Sequence, residues 1–284
     1  MIDFHTHPLL VQEVVGGDEA MVHATRDVFM IRNRLQPLDT FLLELDVCGV
    51  QRAVVMPVDA TTAKGTKIWS NEQIARLCSM SDRFIGFASV DPHNPRAAEQ
   101  LEHDVKTLGL RGLKLSPSLQ EFRANDRAKA YPIYEAATAL GIPVLVHCGM
   151  TWAPRSKSAS PMDMEDVAFD FPKLNLVIAH FGWPWVHETA MLLLKYENLF
   201  ADLSCLYFDA PWEFMRGIFG GRLPLTLIER SLRTKIVFGS DYPRVEIKNM
   251  VRAVKELGLS DGALEMIFNK NARYLLGEAE ASYK

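Results

Sequence analysis

Residues 142–147 read Ile-Pro-Val-Leu-Val-His, a short apolar run with no polar alternation that ends on a histidine. A strand without a polar face is typical of a parallel sheet covered on both sides. Residues 52–57 (Arg-Ala-Val-Val-Met-Pro) and 175–180 (Asn-Leu-Val-Ile-Ala-His) have the same character. The pattern therefore predicts buried parallel strands, whose connections are usually helical.

Runs of this kind recur along the whole chain, each bounded by glycine, proline or polar residues. They are too far apart to pair as hairpins. The eight predicted strands are Ile2–His7, Arg52–Pro57, Phe84–Val90, Arg111–Ser116, Ile142–His147, Asn175–His180, Leu199–Ser204 and Ile236–Asp241.

The intervals between the strands carry apolar residues at helical spacing, and four of the predicted helices end on glycine. The predicted helices are Leu38–Gly49, Pro95–Gly109, Pro132–Gly141, Val245–Gly258 and Asp261–Leu276. Eight strand-helix units in 284 residues predict an α/β fold, a distorted (β/α)8 TIM barrel that forms a single domain over residues 1–284.

Two connections are longer than ordinary loops between a strand and a helix. Residues 8–37 follow the first strand, and the aromatic-rich residues 205–223 follow the seventh. Both leave the carboxyl ends of strands, the face on which such barrels place their active sites. The aromatic segment is open to two interpretations: an oligomer interface, as in a homodimer, or a lid and pocket wall.

Composition excludes several classes of protein. The chain has 31 basic and 35 acidic side chains, a net charge of −4, which argues against a general nucleic-acid binder. No apolar run is long enough to span a membrane. The four cysteines show no CxxC spacing, and the amino terminus has no signal-peptide pattern. We therefore expect a cytoplasmic protein with reduced thiols.

Histidines mark the ends of several predicted strands. His5 and His7 are two apart on the first strand, so their side chains share one side, and Asp3 has the same parity. His147 ends the fifth strand, and His180 ends the sixth. The other four, His23, His93, His103 and His187, lie in loops or on charged helices, where we expect solvated side chains.

Asp241, at the end of the eighth strand, adds a carboxylate to this rim. Burying five unpaired donors at one rim would be costly, whereas a divalent metal ion would use their lone pairs. Imidazole with carboxylate favours zinc and also accepts manganese, iron or cobalt. The sequence therefore predicts a metal site at the rim.

Several motifs resemble the amidohydrolase superfamily, and more narrowly its amidohydrolase-related branch. That branch includes aminocarboxymuconate-semialdehyde decarboxylase, resorcylate-type decarboxylases and several lactone hydrolases. The resemblance runs from residue 2 to about residue 276 and implies the barrel fold already predicted from the strands. The matching motifs are Asp3-Phe-His5-Thr-His7-Pro, Gly112-Leu-Lys114-Leu-Ser, Val146-His147-Cys-Gly149, Ala179-His180-Phe-Gly182, Phe238-Gly-Ser-Asp241-Tyr-Pro243 and Asn269-Lys-Asn271-Ala-Arg-Tyr-Leu-Leu-Gly277.

The resemblance implies a role for each rim residue. His5, His7, His147 and Asp241 would hold one metal ion, with an open position for water or substrate. Asp241 would also exchange protons with the bound water, whose pKa the metal lowers toward about 7. His180 would orient or deprotonate that water as a catalytic residue; in the alternative, which some binuclear relatives show, it is itself a ligand.

Several further residues are candidates for contact with the substrate. Lys114 on the fourth strand has three interpretations: a cation that pairs with a substrate carboxylate, a structurally paired lysine, or the carboxylated lysine that bridges two metals in some relatives. Trp152 and Arg155, in the loop after the fifth strand, would suit a planar or carboxylated small molecule. Nearby Met150, Thr151, Lys157 and Trp183 are further candidates, whereas Cys148 should point away and pack.

Three functions are compatible with such a site. The first is hydrolysis of a small ester, lactone or amide by metal-bound hydroxide, and the second is non-oxidative decarboxylation of an unsaturated or aromatic acid. Resorcylate-type decarboxylases often carry Glu or Ala where this chain has His5, so the intact His-Thr-His favours hydrolases and the semialdehyde decarboxylase pattern. Analogy with the branch as a whole favours the hydrolase. The third, a non-catalytic binding barrel, is disfavoured because the full ligand set and the candidate base are present.

Overall fold

Eight parallel strands form the centre of the structure, a computed structural model that describes residues 1–7, 11–31, 34–153, 155–204 and 210–280. Each of the eight predicted runs contains one of them. In chain order the strands are β1 Ile2–Thr6, β2 Arg52–Val55, β3 Val58–Ala60, β4 Thr66–Ile68, β5 Phe84–Gly86, β6 Leu113–Leu115, β7 Val144–Val146, β8 Leu176–Ile178, β9 Leu199–Asp202 and β10 Ile236–Val237. The strands β3 and β4 form a separate antiparallel hairpin that the sequence pattern did not predict.

The parallel strands lie in barrel order, with β1, β2 and β5 in one sheet and β6 to β10 in the other. Backbone hydrogen bonds join the edges of these two sheets. The N–H of Phe4 donates to the carbonyl of Phe238 at 2.8 Å, and the N–H of Lys114 donates to the carbonyl of Ala88 at 2.8 Å. This arrangement is the expected (β/α)8 barrel.

Helices occupy the intervals between the strands and the long connection after β1. In chain order the α-helices are α1 Gln12–Val15, α2 Glu19–His23, α3 Leu38–Cys48, α4 Thr61–Lys64, α5 Asn71–Met80, α6 Ala97–Leu108, α7 Tyr131–Leu140, α8 Asp163–Asp170, α9 Val186–Lys195, α10 Pro211–Ile218, α11 Leu225–Leu227, α12 Ile247–Lys255, α13 Asp261–Glu265 and α14 Asn271–Leu275. Short π-helical turns cover Ala24–Val28, Ile228–Leu232 and Met266–Lys270. The predicted closing helix, Asp261–Leu276, is therefore present, with a π-helical turn between α13 and α14. No helix in the described ranges is long and apolar enough to cross a membrane.

The core has two parts, one inside the barrel and one between the strands and the helices. Leu145 and Phe200 belong to the inner part, whereas Val144, Val146 and Cys148 belong to the outer part. Cys148 thus packs away from the site, as expected. The inner cluster consists of Ile2, Phe4, Val54, Met56, Ile85, Phe87, Leu145, Val177, Ala179, Phe200, Val237, Ala272, Leu275 and Leu276.

A bulge in β1 corrects one prediction. Asp3 pairs with Ala53 and Thr6 with Val55, so three steps along β1 oppose two along β2. Because the extra residue breaks the alternation, His5 faces the site although Phe4 belongs to the inner cluster. Asp3 pairs with a residue of the outer cluster and is therefore on the other side from His5. Asp3 and His5 therefore lie on opposite sides of the strand, contrary to the prediction from their spacing.

Candidate metal centre and active site

The bulged end of β1 brings two imidazoles together with a carboxylate. Nε2 of His5 lies 3.2 Å from Nε2 of His7, and Oδ1 of Asp241 lies 3.6 Å from the first nitrogen and 3.9 Å from the second. The three donor atoms lie within 4.8 Å of one another. Nδ1 of His7 is 2.9 Å from the carbonyl of Met56, so that nitrogen carries hydrogen and Nε2 presents its lone pair. Three of the four expected ligands thus converge.

His147 and His180 lie beside this group and line the same cavity. Nδ1 of His147 is 3.1 Å from Nε2 of His180, while Nε2 of His147 is buried without a hydrogen-bond partner among the described residues. A buried nitrogen without a partner is costly unless something else binds it. His147 is outside the group of three donors within 4.8 Å, but its free nitrogen is the kind of ligand that a cation in this cavity would engage.

Burial keeps the rim histidines neutral. Desolvation, together with the positive charge of Lys114, lowers the pKa of His147 to about 3. Desolvation likewise holds the pKa values of His5, His7 and His180 well below the ordinary range. Neutral imidazole is the form that binds a metal. The donor set therefore fits a divalent cation.

Two charged side chains share the cavity with the imidazoles. Burial raises the pKa of Asp241, an effect that Arg244 and Lys114 oppose. Burial lowers the pKa of Lys114, an effect that Asp202 and Asp241 oppose. Nζ of Lys114 lies 3.2 Å from Nε2 of His5, so the lysine reaches the centre of the site.

The backbone at the rim is held in unusual conformations. Asp241 and His180 have φ of 60° and 57°, in the left-handed region that costs free energy for residues other than glycine. The N–H of Asp241 donates to the carbonyl of His5 at 2.9 Å, and the N–H of Ser240 donates to Oδ1 of Asp3 at 3.0 Å. These bonds fix the Asp241 loop to β1. Asp3 thus supports the site from the other face of the strand.

Sequence reasoning missed Asp202 and Ser204, at the end of β9. Both are fully buried, and Asp202 contacts the Nδ1 atom of His5 at 2.8 Å. The sequence does contain a pattern that could have identified them. Asp202 and Ser204 follow the apolar Leu199-Phe200-Ala201 at a spacing of two, so they share the side of the strand that faces the barrel interior.

A cavity above the donors opens to solvent. Of the predicted substrate residues, Lys114 and Trp152 line it, as do Met150 and Thr151. Arg155 is absent from the described lining: it is exposed and lies in a neighbouring surface depression with Lys129. Its carbonyl accepts a hydrogen bond from the hydroxyl of Ser118.

Arg244 is the cation that sequence reasoning did not consider. It lines the cavity three residues after Asp241, with Nε 3.7 Å from Oδ2 of that aspartate. Its Nη2 donates to the carbonyl of Phe29 at 2.5 Å. Phe29 belongs to Val28–Ile31, a stretch of the long connection after β1 that forms one wall of the cavity. Arg244 therefore ties this wall to the metal site.

Other candidates lie outside the described cavity lining. Lys157 is exposed, and Trp183 packs on Phe214 with ring centroids 5.7 Å apart. Of the aromatic segment 205–223, Tyr207 and Phe208 lie outside the described residues. His23, His103 and His187 are exposed as expected, whereas His93 is half-buried and bonds the carbonyl of Gln120 at 2.7 Å.

Comparison with solved structures agrees with this architecture. An uncharacterised TIM-barrel protein from Bordetella bronchiseptica is 22% identical, with a TM-score of 0.77 and 98% of each chain covered. A probable 2-pyrone-4,6-dicarboxylic acid hydrolase from Acinetobacter baumannii, with citric acid bound, is 16% identical, with a TM-score of 0.68 over 97% of this chain and 98% of that one. A dihydroxybenzoic acid decarboxylase from Polaromonas sp. JS666, with bound manganese and an inhibitor, is 17% identical, with a TM-score of 0.66 over 100% and 99%.

A barrel with histidines and an aspartate converging at the carboxyl ends of its strands defines a class of enzymes that use a divalent metal. The amidohydrolase family model matches residues 2–277, so the chain belongs to the amidohydrolase family. It is an enzyme of the amidohydrolase superfamily, with candidate His and Asp ligands for a divalent metal.

Proposed function

We propose that the protein is a metal-dependent hydrolase of a small ester, lactone or amide. The observation that carries this proposal is the cluster of His5, His7 and Asp241 beside the unpartnered Nε2 of His147. His5, His7, His147 and Asp241 would hold a divalent ion, for which zinc is preferred and manganese, iron or cobalt are acceptable. When bound, that ion would supply a Lewis acid for the substrate carbonyl and lower the pKa of a water molecule.

The chain's own residues supply the proton transfers. The Asp241 carboxylate is 3% exposed and lines the cavity, so it can take a proton from water and deliver it to the leaving group. His180 lies next to His147 and lines the same cavity, where it would orient the water. Val28–Ile31 and Trp152 would restrict access of bulk water to the bound substrate.

A second candidate function is decarboxylation of a carboxylated substrate. The cavity contains two cations, Lys114 and Arg244, which would pair with a carboxylate. The structural similarity to the Polaromonas decarboxylase is compatible with this function. Both candidates would act on a small molecule, and the two cations favour an acidic one.

The two functions differ in the product formed. Metal-loaded protein is incubated with a panel of neutral esters and lactones, with a carboxylated lactone and with phenolic acids; acid release and carbon dioxide are measured separately. We expect carbonyl hydrolysis without carbon dioxide, lost in Asp241→Asn and kept in His103→Ala, a surface control on α6. Carbon dioxide release without hydrolysis would replace the hydrolase with the decarboxylase.

A further inference from the structure

A buried network behind the metal site connects Asp202 and Ser204 to the rim histidines. Oδ1 of Asp202 lies 2.5 Å from Oγ of Ser204 and accepts the backbone N–H groups of His180 and Ser204, each at 2.9 Å. Oδ2 of Asp202 lies 2.8 Å from Nδ1 of His5. Oγ of Ser204 also contacts Nδ1 of His180 at 2.7 Å and Nδ1 of His5 at 3.1 Å.

Counting hydrogens in this network leaves one consistent arrangement. An ionised carboxylate only accepts, so the single hydrogen of the Ser204 hydroxyl must lie toward Asp202. The Ser204 oxygen can then only accept from His180, whose Nδ1 must carry hydrogen. Nδ1 of His5 must also carry hydrogen, because its nearest partner is the carboxylate Oδ2 of Asp202. Both imidazoles thus present an unprotonated Nε2.

The same assignment of hydrogens to ring nitrogens extends to His147. Because Nε2 of His180 carries no hydrogen, its 3.1 Å contact with His147 requires a hydrogen on Nδ1 of His147. Nε2 of His147 is then unprotonated, and it is the atom that lacks a partner among the described residues. The lone pair of His180, by contrast, is engaged by His147, which favours His180 as a neighbour of the ligands instead of a ligand.

One donor atom from each of His5, His180 and Asp202 lies within 4.8 Å of the other two, a spacing that could hold a second metal ion. The contacts argue against it. Oδ2 of Asp202 already accepts from Nδ1 of His5 at 2.8 Å, and Oδ1 already accepts from the backbone N–H of His180 at 2.9 Å and from the hydroxyl of Ser204 at 2.5 Å. A cation there would have to displace the hydroxyl of Ser204.

We infer that Asp202 is the positioning residue of the site: through one direct bond and one Ser204 relay it sets the tautomers of His5, His180 and His147. His7 is set independently by the carbonyl of Met56. Partners behind metal-binding histidines typically change metal affinity by about 10 to 100-fold. Asp202 would therefore determine which nitrogens are free to bind the cation.

Two variants separate the direct bond from the relay. Asp202→Asn replaces a pure acceptor with an amide and should alter the tautomers of all three histidines. Ser204→Ala removes only the relay, so it should alter His180 and His147 and leave the hydrogen on Nδ1 of His5. Ser89→Ala is a matched control: a buried serine that follows β5, with hydrogen bonds to the N–H of Asp59 and the carbonyl of Lys114.

Nitrogen-15 spectra of histidine-labelled, metal-free protein report which ring nitrogen carries hydrogen, and single His→Gln variants assign the signals. We expect hydrogen on Nδ1 of His5, His147 and His180 in the wild type, the variant-specific changes above, and the wild-type pattern in Ser89→Ala. Hydrogen on Nε2 of His180 in the wild type would overturn the inference, as would variant spectra identical to the wild type. The wild-type spectrum is informative even if a variant fails to fold.

A second measurement connects the tautomers to the cation. Titration of metal-free protein with zinc should give a Kd raised by about tenfold or more for Asp202→Asn and for Ser204→Ala. The spectra test the hydrogen network and do not depend on the proposed hydrolase. Absence of zinc binding by the wild type would contradict the metal site while leaving the tautomer assignment standing.

Discussion

Nζ of Lys114 lies 3.2 Å from Nε2 of His5, the nitrogen that faces the other predicted metal ligands. A lysine and a metal ion cannot both use that lone pair, so metal binding requires Lys114 to move or to change its chemistry. The three interpretations of Lys114 therefore predict different effects of this lysine on metal binding.

Lys114→Met tests these interpretations. If Lys114 remains a cation, its removal relieves repulsion, and we expect zinc affinity to rise about tenfold, equivalent to ~1.4 kcal/mol. Turnover of a carboxylated substrate should fall at the same time. Both proteins are titrated with zinc in the presence and absence of bicarbonate. A lower zinc affinity of Lys114→Met, together with a wild-type zinc affinity that depends on bicarbonate, would instead indicate a carboxylated, metal-bridging lysine.

Arg244 is expected to discriminate between acidic and neutral substrates. Arg244→Met removes a guanidinium from the cavity and its bond to the carbonyl of Phe29. A charge-assisted hydrogen bond contributes ~1.5 to 3 kcal/mol, so KM for an acidic substrate should rise about 10 to 100-fold. KM for a neutral ester should change much less. Arg252→Met, at an exposed arginine on α12, is the control; equal losses for both substrates would show that Arg244 only maintains the cavity wall.

Alanine substitutions at two tightly packed glycines distinguish an effect on the stability of the barrel from an effect on the geometry of the site. A Cβ on Gly239 would lie 2.8 Å from Cβ of His5, and a Cβ on Gly112 would overlap the ring of Phe87. Each alanine variant should lose ~1 to 3 kcal/mol of unfolding free energy. We expect Gly239→Ala alone to weaken zinc binding as well. Denaturant unfolding and zinc titration of the pair provide the measurement, and an equal zinc affinity for both would contradict the assigned contact with His5.

Glu278 stabilises the end of the barrel at which the strands begin. Its carboxylate bonds Arg52 at 2.6 and 2.8 Å and Arg111 at 2.8 Å, and these partners lower its pKa from 4.5 to about 2. Because the folded pKa lies below the unfolded one, the stabilisation is complete above about pH 4.5 and is lost as the pH falls toward 2.

Glu278→Gln should therefore reduce stability by ~1 kcal/mol at pH 7, with a Tm lower by about 2 °C. Zinc affinity should not change, since Glu278 lies at the opposite end of the strands from the rim. The difference in unfolding free energy between the two proteins, followed from pH 7 to pH 3, should shrink as the pH falls. A difference that is constant with pH would show that the charge of Glu278 is not its source.

Much of the architecture was predictable because its signals are local. The apolar runs located all eight barrel strands, and positions at strand ends identified His5, His7 and Asp241 as neighbours. The helix ends at Gly49 and Gly109, with φ of 69° in both, also follow from local chemistry.

The errors arise where the outcome depends on pairing between distant segments. Asp3 was placed on the wrong side because the bulge exists only in the register of β1 against β2. Asp202 and Ser204 were missed because their role depends on contacts with His5 and His180, about 200 and about 20 residues away in the chain. Arg155, predicted from its loop alone, lies in a neighbouring surface depression, and its contact with the substrate remains a prediction. The single-domain and homodimer predictions remain predictions.

We expect His147 to bind the metal ion and His180 to lie beside it without binding. Metal-free His147→Ala, His180→Ala and the control His103→Ala are reloaded with zinc, and bound zinc is measured by elemental analysis and by titration. We expect one zinc per chain for His180→Ala, with zinc affinity reduced by no more than about tenfold, and a loss of zinc affinity of about 100-fold or more for His147→Ala. Retention of zinc by His147→Ala together with its loss from His180→Ala would instead show that His180 is the ligand.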